Sequence, residues 1–346
     1  MEKVSHDFGG GSLVSFLKEK GLEDESIEHM RKKCMRLEAA TSMERVRGNW
    51  EFLEREVSVP ARKMPVVVHR CPQLLVMGVN ERLLPVLSCL RALGLLDKEL
   101  GDLIVRFPQV LTHSVEEKLC PILAFLQGVG VKEVNLPRII VRCPRLLSYS
   151  IERKLAPTVD FLASLGLGEK EMGRVLAQSP HILGYSVETR LRPTVEYLRG
   201  IGLSAEQLRN VAAFFPHILC REAGKVLRPA EEYLRSIGFN AQEISALIGG
   251  FPPILIKSIR TSLEPKVQFL VKEMGLQKVE LVNFPAYFGY SLHRTIQIRF
   301  RKMRARGVQI SLSEMLACNK KQFAFRIGLG DVSEQKLARV GGEILC

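Results

Sequence analysis

The sequence predicts an all-α fold, a helical-repeat solenoid or superhelix of units about 36 residues long, each made of two α-helices and a short 3-10 turn. Three observations predict it. Proline stands at 72, 108, 144, 180, 216, 252 and 285, spaced by 36 residues except for the last interval of 33. Apolar residues keep the same period, since Leu75, Leu111, Leu147, Leu183, Leu219, Leu255 and Phe288 each follow a proline by three positions. Turn residues keep it too: a second proline at 85, 121, 157, 193, 229 and 265, then glycine at 94, 130, 166, 202, 238 and 275. A unit this short cannot bury its apolar face alone, so neighbours must stack, and the stack offers a long surface.

Within a unit, the first proline opens the short turn. Six residues later comes serine, at 114, 150, 186, 258 and 291, whose hydroxyl can cap the first helix; Glu117 is placed to complete a capping box with Ser114. That helix carries apolar residues at helical spacing, such as Leu155, Val159, Leu162 and Leu165, and ends at a glycine suited to the left-handed position after a helix. The second proline near its start marks either the true first turn or a kink. The second helix begins among acids such as Glu133, Glu169, Glu171, Glu206 and Glu243, favourable at the positive end of the helix dipole. It stops before the next unit's proline, because the residue before proline avoids the α region. Phe16-Leu17 with Gly21, and Phe52-Leu53 with Val57 where the glycine is lost, extend the series backwards to about nine units. The expected division is 1–60 for a degenerate N-terminal cap, 61–326 for the repeats and 327–346 for a C-terminal tail.

The 346 residues are 46% hydrophobic and 25% charged, ample for a core. Lysine and arginine outnumber aspartate and glutamate by 50 to 37, a formal charge of +13 that favours a polyanionic partner or an anionic membrane surface. No apolar run approaches the roughly 20 residues that span a bilayer, so no membrane role is expected. The eight cysteines include no C-x-x-C pair and the histidines never take a metal-ligand spacing beside them. Cys71 and Cys143 read as small buried residues, not nucleophiles. There is no phosphate-binding loop (Gly9 to Gly11 lacks the following lysine and hydroxyl), no H-E-x-x-H, no G-x-S-x-G and no clustered carboxylate pair. An enzyme, a metal and a cofactor are therefore not expected.

Basic residues recur near the start of the first helix. Arg82, Lys118, Lys154 and Arg190 lie ten past the first proline, Arg192 and Arg228 lie twelve past it, and Lys257 and Arg260 stand close by in the next copy. One cation per repeat could follow a phosphate backbone. Between 286 and 326 nine lysines and arginines face one acid, Glu314, and Arg294, Arg299, Arg301, Lys302, Arg304 and Arg306 fall on one expected helix. That density calls for a counter-charge, from nucleic acid or from an acidic protein. Tyr149, Tyr185 and Tyr290 share one repeat position and are candidates for base stacking, or else cover the joints between repeats. His181 and His217 read as surface or packing residues.

The proline-x-apolar-leucine turn, the proline thirteen later, the aromatic-leucine pairs Phe125-Leu126, Phe161-Leu162, Tyr197-Leu198 and Phe269-Leu270, and the closing glycine together resemble the mitochondrial transcription termination factor (mTERF) family over residues 12 to 326. The runs Cys143 to Ser150 and Phe251 to Ser258 are similar to plant organellar members. The resemblance implies a superhelix that holds duplex DNA along a basic face in chloroplasts or mitochondria and regulates transcription, through termination above all. It also implies the organellar transcription machinery as a partner, with RNA maturation as the alternative role. A long solenoid can work as a monomer. Met1 to Phe16 carries Glu2 and Asp7 and does not look like a transit peptide, a departure from the family's organellar address.

Overall fold

A computed structural model describes residues 13–37 and 42–328. The glycines 9 to 11, part of the expected N-terminal cap and most of the expected tail lie outside the described residues. The described chain is helical throughout, with no strand, and no helix in it is long and apolar enough to cross a membrane. It divides into two compact units, Met1–Tyr185 and Ser186–Cys346.

In the first unit each regular repeat opens on a 3-10 turn such as Pro144–Ser148. The residue before the proline ends the preceding helix by leaving the α region; Phe107, for example, has φ −144° and ψ 72°. Ser150 then caps the first helix, its Oγ accepting from the Arg153 N–H at 3.1 Å. Ser114 accepts in the same way from the Glu117 N–H, but the expected box does not close, because the Ser114 hydroxyl donates to the neighbouring carboxylate of Glu116. The first turn of the helix is wide: the Lys154 and Leu155 N–H groups both reach the Ser150 carbonyl, and Ile151–Leu155 is a turn of π-helix. Pro157 follows inside the Ala156–Ser164 α-helix. A proline ring collides with the carbonyl four residues back in a tight helix, and the widened turn gives it room. The second proline thus marks the change from π to α winding.

The first helix ends on glycine in the left-handed region, with φ of 92° at Gly166. In the degenerate second copy this conformation falls on Ser58, at φ 59°, one place beyond the expected Val57, which is buried instead. Close approach matters at Gly173, where an added Cβ would stand 1.7 Å from the Gly130 carbonyl oxygen, so the second helix can seat against the previous repeat only without a side chain there. Leu155, Leu162, Val175 and Leu183 have no accessible surface, each worth about 1.5–3 kcal/mol of burial. Cys71 and Cys143 are buried as expected, and burial pushes the Cys71 thiol up to about 11.

The second unit repeats the scheme through Ala205–Phe214 and Ala241–Gly250, then changes. Val279–Asn283 and Leu312–Leu316 are second helices of five residues where the earlier ones have ten.

The buried polar side chains of both units obey one rule. Asn49, Thr158, Thr194 and Lys266 are the four polar or charged residues buried in the described core, and all stand at the position one past the second proline or its equivalent. Asn49 donates to the Leu74 and Met77 carbonyls, Thr194 to that of Arg221, and Lys266 to that of Phe288 at 2.8 Å. These three tie their helices to the next repeat's proline turn, satisfying carbonyls that the short turn leaves open.

Candidate nucleic-acid interface

The row of cations ten past the first proline joins this tying scheme. Lys118 Nζ donates to the Tyr149 carbonyl at 2.7 Å and Lys154 Nζ to the Tyr185 carbonyl at 2.6 Å. Arg190 turns instead to Glu222, 3.6 Å away. Burial lowers the pKa of Lys154, a sign of an ammonium drawn into the joint. At this position Lys118 and Lys154 thus tie one repeat to the next, Arg190 meets Glu222, and Arg82 lines a groove.

The remaining expected residues of the second unit divide likewise. Arg192 is bidentate to Glu188 at 3.0 and 3.1 Å, and that bond holds the Glu188 carboxyl below its ordinary range. Lys257 lies 5.7 Å from the Phe251 ring centroid. Arg228 and Arg260 are exposed. Arg294 follows the Ser291 cap, and Arg301, Lys302 and Arg304 lie on Gln297–Ala305, with Arg301, Lys302 and Arg304 exposed. Arg299 is placed differently: its guanidinium reaches the Met315, Leu316 and Cys318 carbonyls at 2.7 to 3.2 Å and lies 4.9 Å from the Phe323 ring centroid. It closes the C-terminal end of Leu312–Leu316, as a cation there should. Arg306 donates to the Gly328 carbonyl.

Two grooves in the first unit bring together residues that the position-by-position reading did not connect. One, of about 410 Å³, is lined by Arg106, Arg142, Arg145, Tyr149, His181 and Tyr185 among others. The other, of about 530 Å³, is lined by Lys33, Arg36, Arg70, Arg82, Gln73 and Gln109 among others. Neither has a carboxylate in its wall. Arg70, Arg106 and Arg142 each stand two residues before the first proline, in the last turn of a second helix where the dipole favours a cation. Lys33 donates to the Arg70 carbonyl, Arg70 to that of Val105 and Arg142 to that of Ala177. A guanidinium has five N–H donors, so one such bond leaves the fork able to hold a phosphate. Their 36-residue spacing was visible in the sequence, and it is the signal that finds them.

Of the three tyrosines, Tyr149 and Tyr185 line the first groove, whereas Tyr290 is stacked on Phe284 at 6.2 Å and 24°. His181 faces the same groove, and His217 is half-buried beside Phe215.

The sequence model of the family described as mTERF matches residues 11–157 and 112–324, most of the chain. Over 83 residues the chain is 43% identical to the Arabidopsis thaliana protein named transcription termination factor MTERF6, chloroplastic/mitochondrial, covering 24% of this chain and 25% of that one. It is 31% identical over 70 residues to the MTERF4, chloroplastic, protein of the same plant (20% and 13%), and 35% over 60 residues to MTERF8, chloroplastic (17% and 12%). The matched stretches span a quarter or less of these curated relatives.

Proposed function

The chain belongs to the mTERF family, and from that membership we propose that it binds duplex DNA in a chloroplast or mitochondrion and regulates transcription there, acting at termination by obstructing the polymerase. One observation carries the reading: the first unit has two grooves walled by arginine and lysine with no carboxylate. Such a surface neutralises phosphates and releases their counter-ions, which supplies affinity without reading bases. Arg106, Arg142 and Arg145 are the principal phosphate contacts, supported by Arg70 and Arg82, and the exposed Arg301, Lys302 and Arg304 of the second unit, with Arg294, add long-range attraction. A second reading, RNA binding in organellar RNA maturation, is favoured by Tyr149 and Tyr185, since aromatic rings beside phosphate-binding cations suit unpaired bases.

Fluorescence anisotropy of the full chain against duplex DNA, single-stranded DNA and RNA across a salt series tests both. Duplex preference, with log affinity falling steeply against log salt, supports the first reading. Preference for RNA moves the role to RNA maturation, and no binding to any of the three at moderate salt removes the nucleic-acid reading altogether.

A further inference from the structure

The interval from Pro252 to Pro285 is three residues short of the period; Gly275 comes one residue later than its counterparts, and ten residues instead of fourteen separate it from the next proline, so the loss falls on the second helix, Val279–Asn283. In earlier repeats the residue after the glycine is covered by that helix: Leu95, Val131, Leu167, Leu203 and Phe239 are between 3% and 6% exposed. The same position in the last two repeats, Leu276 and Val308, is only half-buried. The side chains remain apolar while their cover has been cut in half.

What is uncovered is a trough in the second unit. Two adjoining cavities of about 510 and 860 Å³ share Lys272, Glu273, Phe300 and Arg304. Beside its polar rim, the larger is lined by a run of half-buried apolar side chains, Met274, Leu276, Met303, Val308 and Ile310. Gln297–Ala305, which forms one wall through Gln297, Phe300, Arg301, Met303 and Arg304, is an α-helix with no buried residue. The rim carries Lys272, Arg301 and Arg304. Its two acids are Glu273 and Glu314, the latter capping the Ser311 N–H and hydroxyl, so the cations outnumber the carboxylates by three to two.

We propose that this trough is the docking site for an acidic amphipathic helix of a partner protein, its apolar stripe on the methionine floor and its carboxylates on Lys272, Arg301 and Arg304. Helix-in-groove recognition needs an apolar channel of this kind, and flexible methionines adapt to the side chains that enter it. A nucleic acid is the poorer fit, because its phosphates would desolvate the floor and find no donor there. The charge complementarity separates this partner from a basic helix, which the rim would repel, and from a neutral one, which it would not attract.

The test uses the full chain and a fluorescein-labelled peptide of about 18 residues, leucine at i, i+3, i+4 and i+7 and glutamate elsewhere, beside a permuted peptide of equal composition without the stripe. The striped peptide should bind at least about tenfold more tightly than the permuted one. Met303→Gln should weaken it about tenfold and Arg301→Gln with Arg304→Gln about fivefold with a flatter salt dependence, while duplex affinity stays within about twofold for Met303→Gln. Circular dichroism confirms that each variant keeps its helix content, and Leu276→Ser provides an independent floor variant expected to behave as Met303→Gln does. Equal binding of the two peptides, no binding of either at about 100 µM, or displacement of the striped peptide by equimolar duplex would overturn the proposal, and none of these outcomes touches the grooves of the first unit.

Discussion

In the first unit the cations stand one per repeat at the ends of second helices, over grooves with no carboxylate, whereas in the second they crowd onto one helix beside an apolar trough. The difference starts from the length of one helix. Where the second helix keeps its ten residues, as in Glu169–Gln178, it buries Met172, Val175 and Leu176 in the joint and turns a polar face outward. Where it shrinks to the five residues of Val279–Asn283, the joint itself becomes surface. A change of less than one-tenth of a repeat's length thus replaces a basic polar edge with an uncovered apolar floor.

The strongest way to break that comparison is to truncate equivalent leucines on either side of the change. Leu203 is 5% exposed, and Leu203→Ala should destabilise the chain by about 2–4 kcal/mol. Leu276→Ala, at the same repeat position but half-uncovered, should cost about 1 kcal/mol or less. Urea unfolding followed by circular dichroism measures both; equal losses would mean that Leu276 is as well packed as its counterpart and that no trough has opened.

Next in size is the division of binding. Arg106→Gln, Arg142→Gln and Arg145→Gln together should lower duplex affinity about thirtyfold at moderate salt and flatten the salt slope by nearly three, about 0.9 for each phosphate no longer neutralised. Arg301→Gln with Arg304→Gln should cost about threefold. If the second pair costs more than the first three, the main phosphate-binding residues lie in the second unit and the comparison is inverted.

How far the sequence could be read follows the same line between local and remote causes. Proline, serine and glycine at fixed intervals act on their own backbone, so the turn at Pro144, the cap at Ser150 and the left-handed Gly166 were all legible. Lys118 and Lys154 look like phosphate ligands in the sequence because nothing near them in the chain shows the carbonyls they meet 31 residues later. Asn49, Thr194 and Lys266 are inconspicuous for the same reason, since a buried tie looks like any polar residue until its acceptor is known. The 33-residue interval is visible in the sequence, but its consequence depends on which helix gives up the residues.

Lys266 sharpens the comparison through pH. It is 5% exposed, and burial pushes its pKa down to about 8, below the value of about 10.4 for a free lysine. The charged form is therefore penalised in the fold at full strength below pH 8. As pH rises from about 8 to about 10.4 the unfolded chain binds more protons than the folded one, so stability rises. The gain relative to Lys266→Met should be about 1–2 kcal/mol across that window, read from urea midpoints at pH 7.5 and 10. Parallel pH profiles of the two proteins would mean that the ammonium keeps its water and does not tie the repeat.

The smallest effect separates two threonines that the repeat makes equivalent. Thr158 Oγ donates back to the Lys154 carbonyl of its own helix, and the joint with the next repeat is tied by Lys154 Nζ instead. Thr194 Oγ lies 2.8 Å from the Arg190 carbonyl and 2.9 Å from that of Arg221 in the following turn, while Arg190 is drawn away to Glu222. Thr194→Val leaves a carbonyl of the next repeat without its donor and should cost about 1–1.5 kcal/mol. Thr158→Val removes a back-bond to a carbonyl already within a helix and should cost about 0.5 kcal/mol or less. The double variant Lys154→Met with Thr158→Val should then exceed the sum of its single losses, because Thr158 becomes the remaining polar group able to turn toward the Tyr185 carbonyl once the ammonium is gone. Additive losses would show that the two positions act independently, and that a repeat joint is held by whichever single donor its sequence happens to place there.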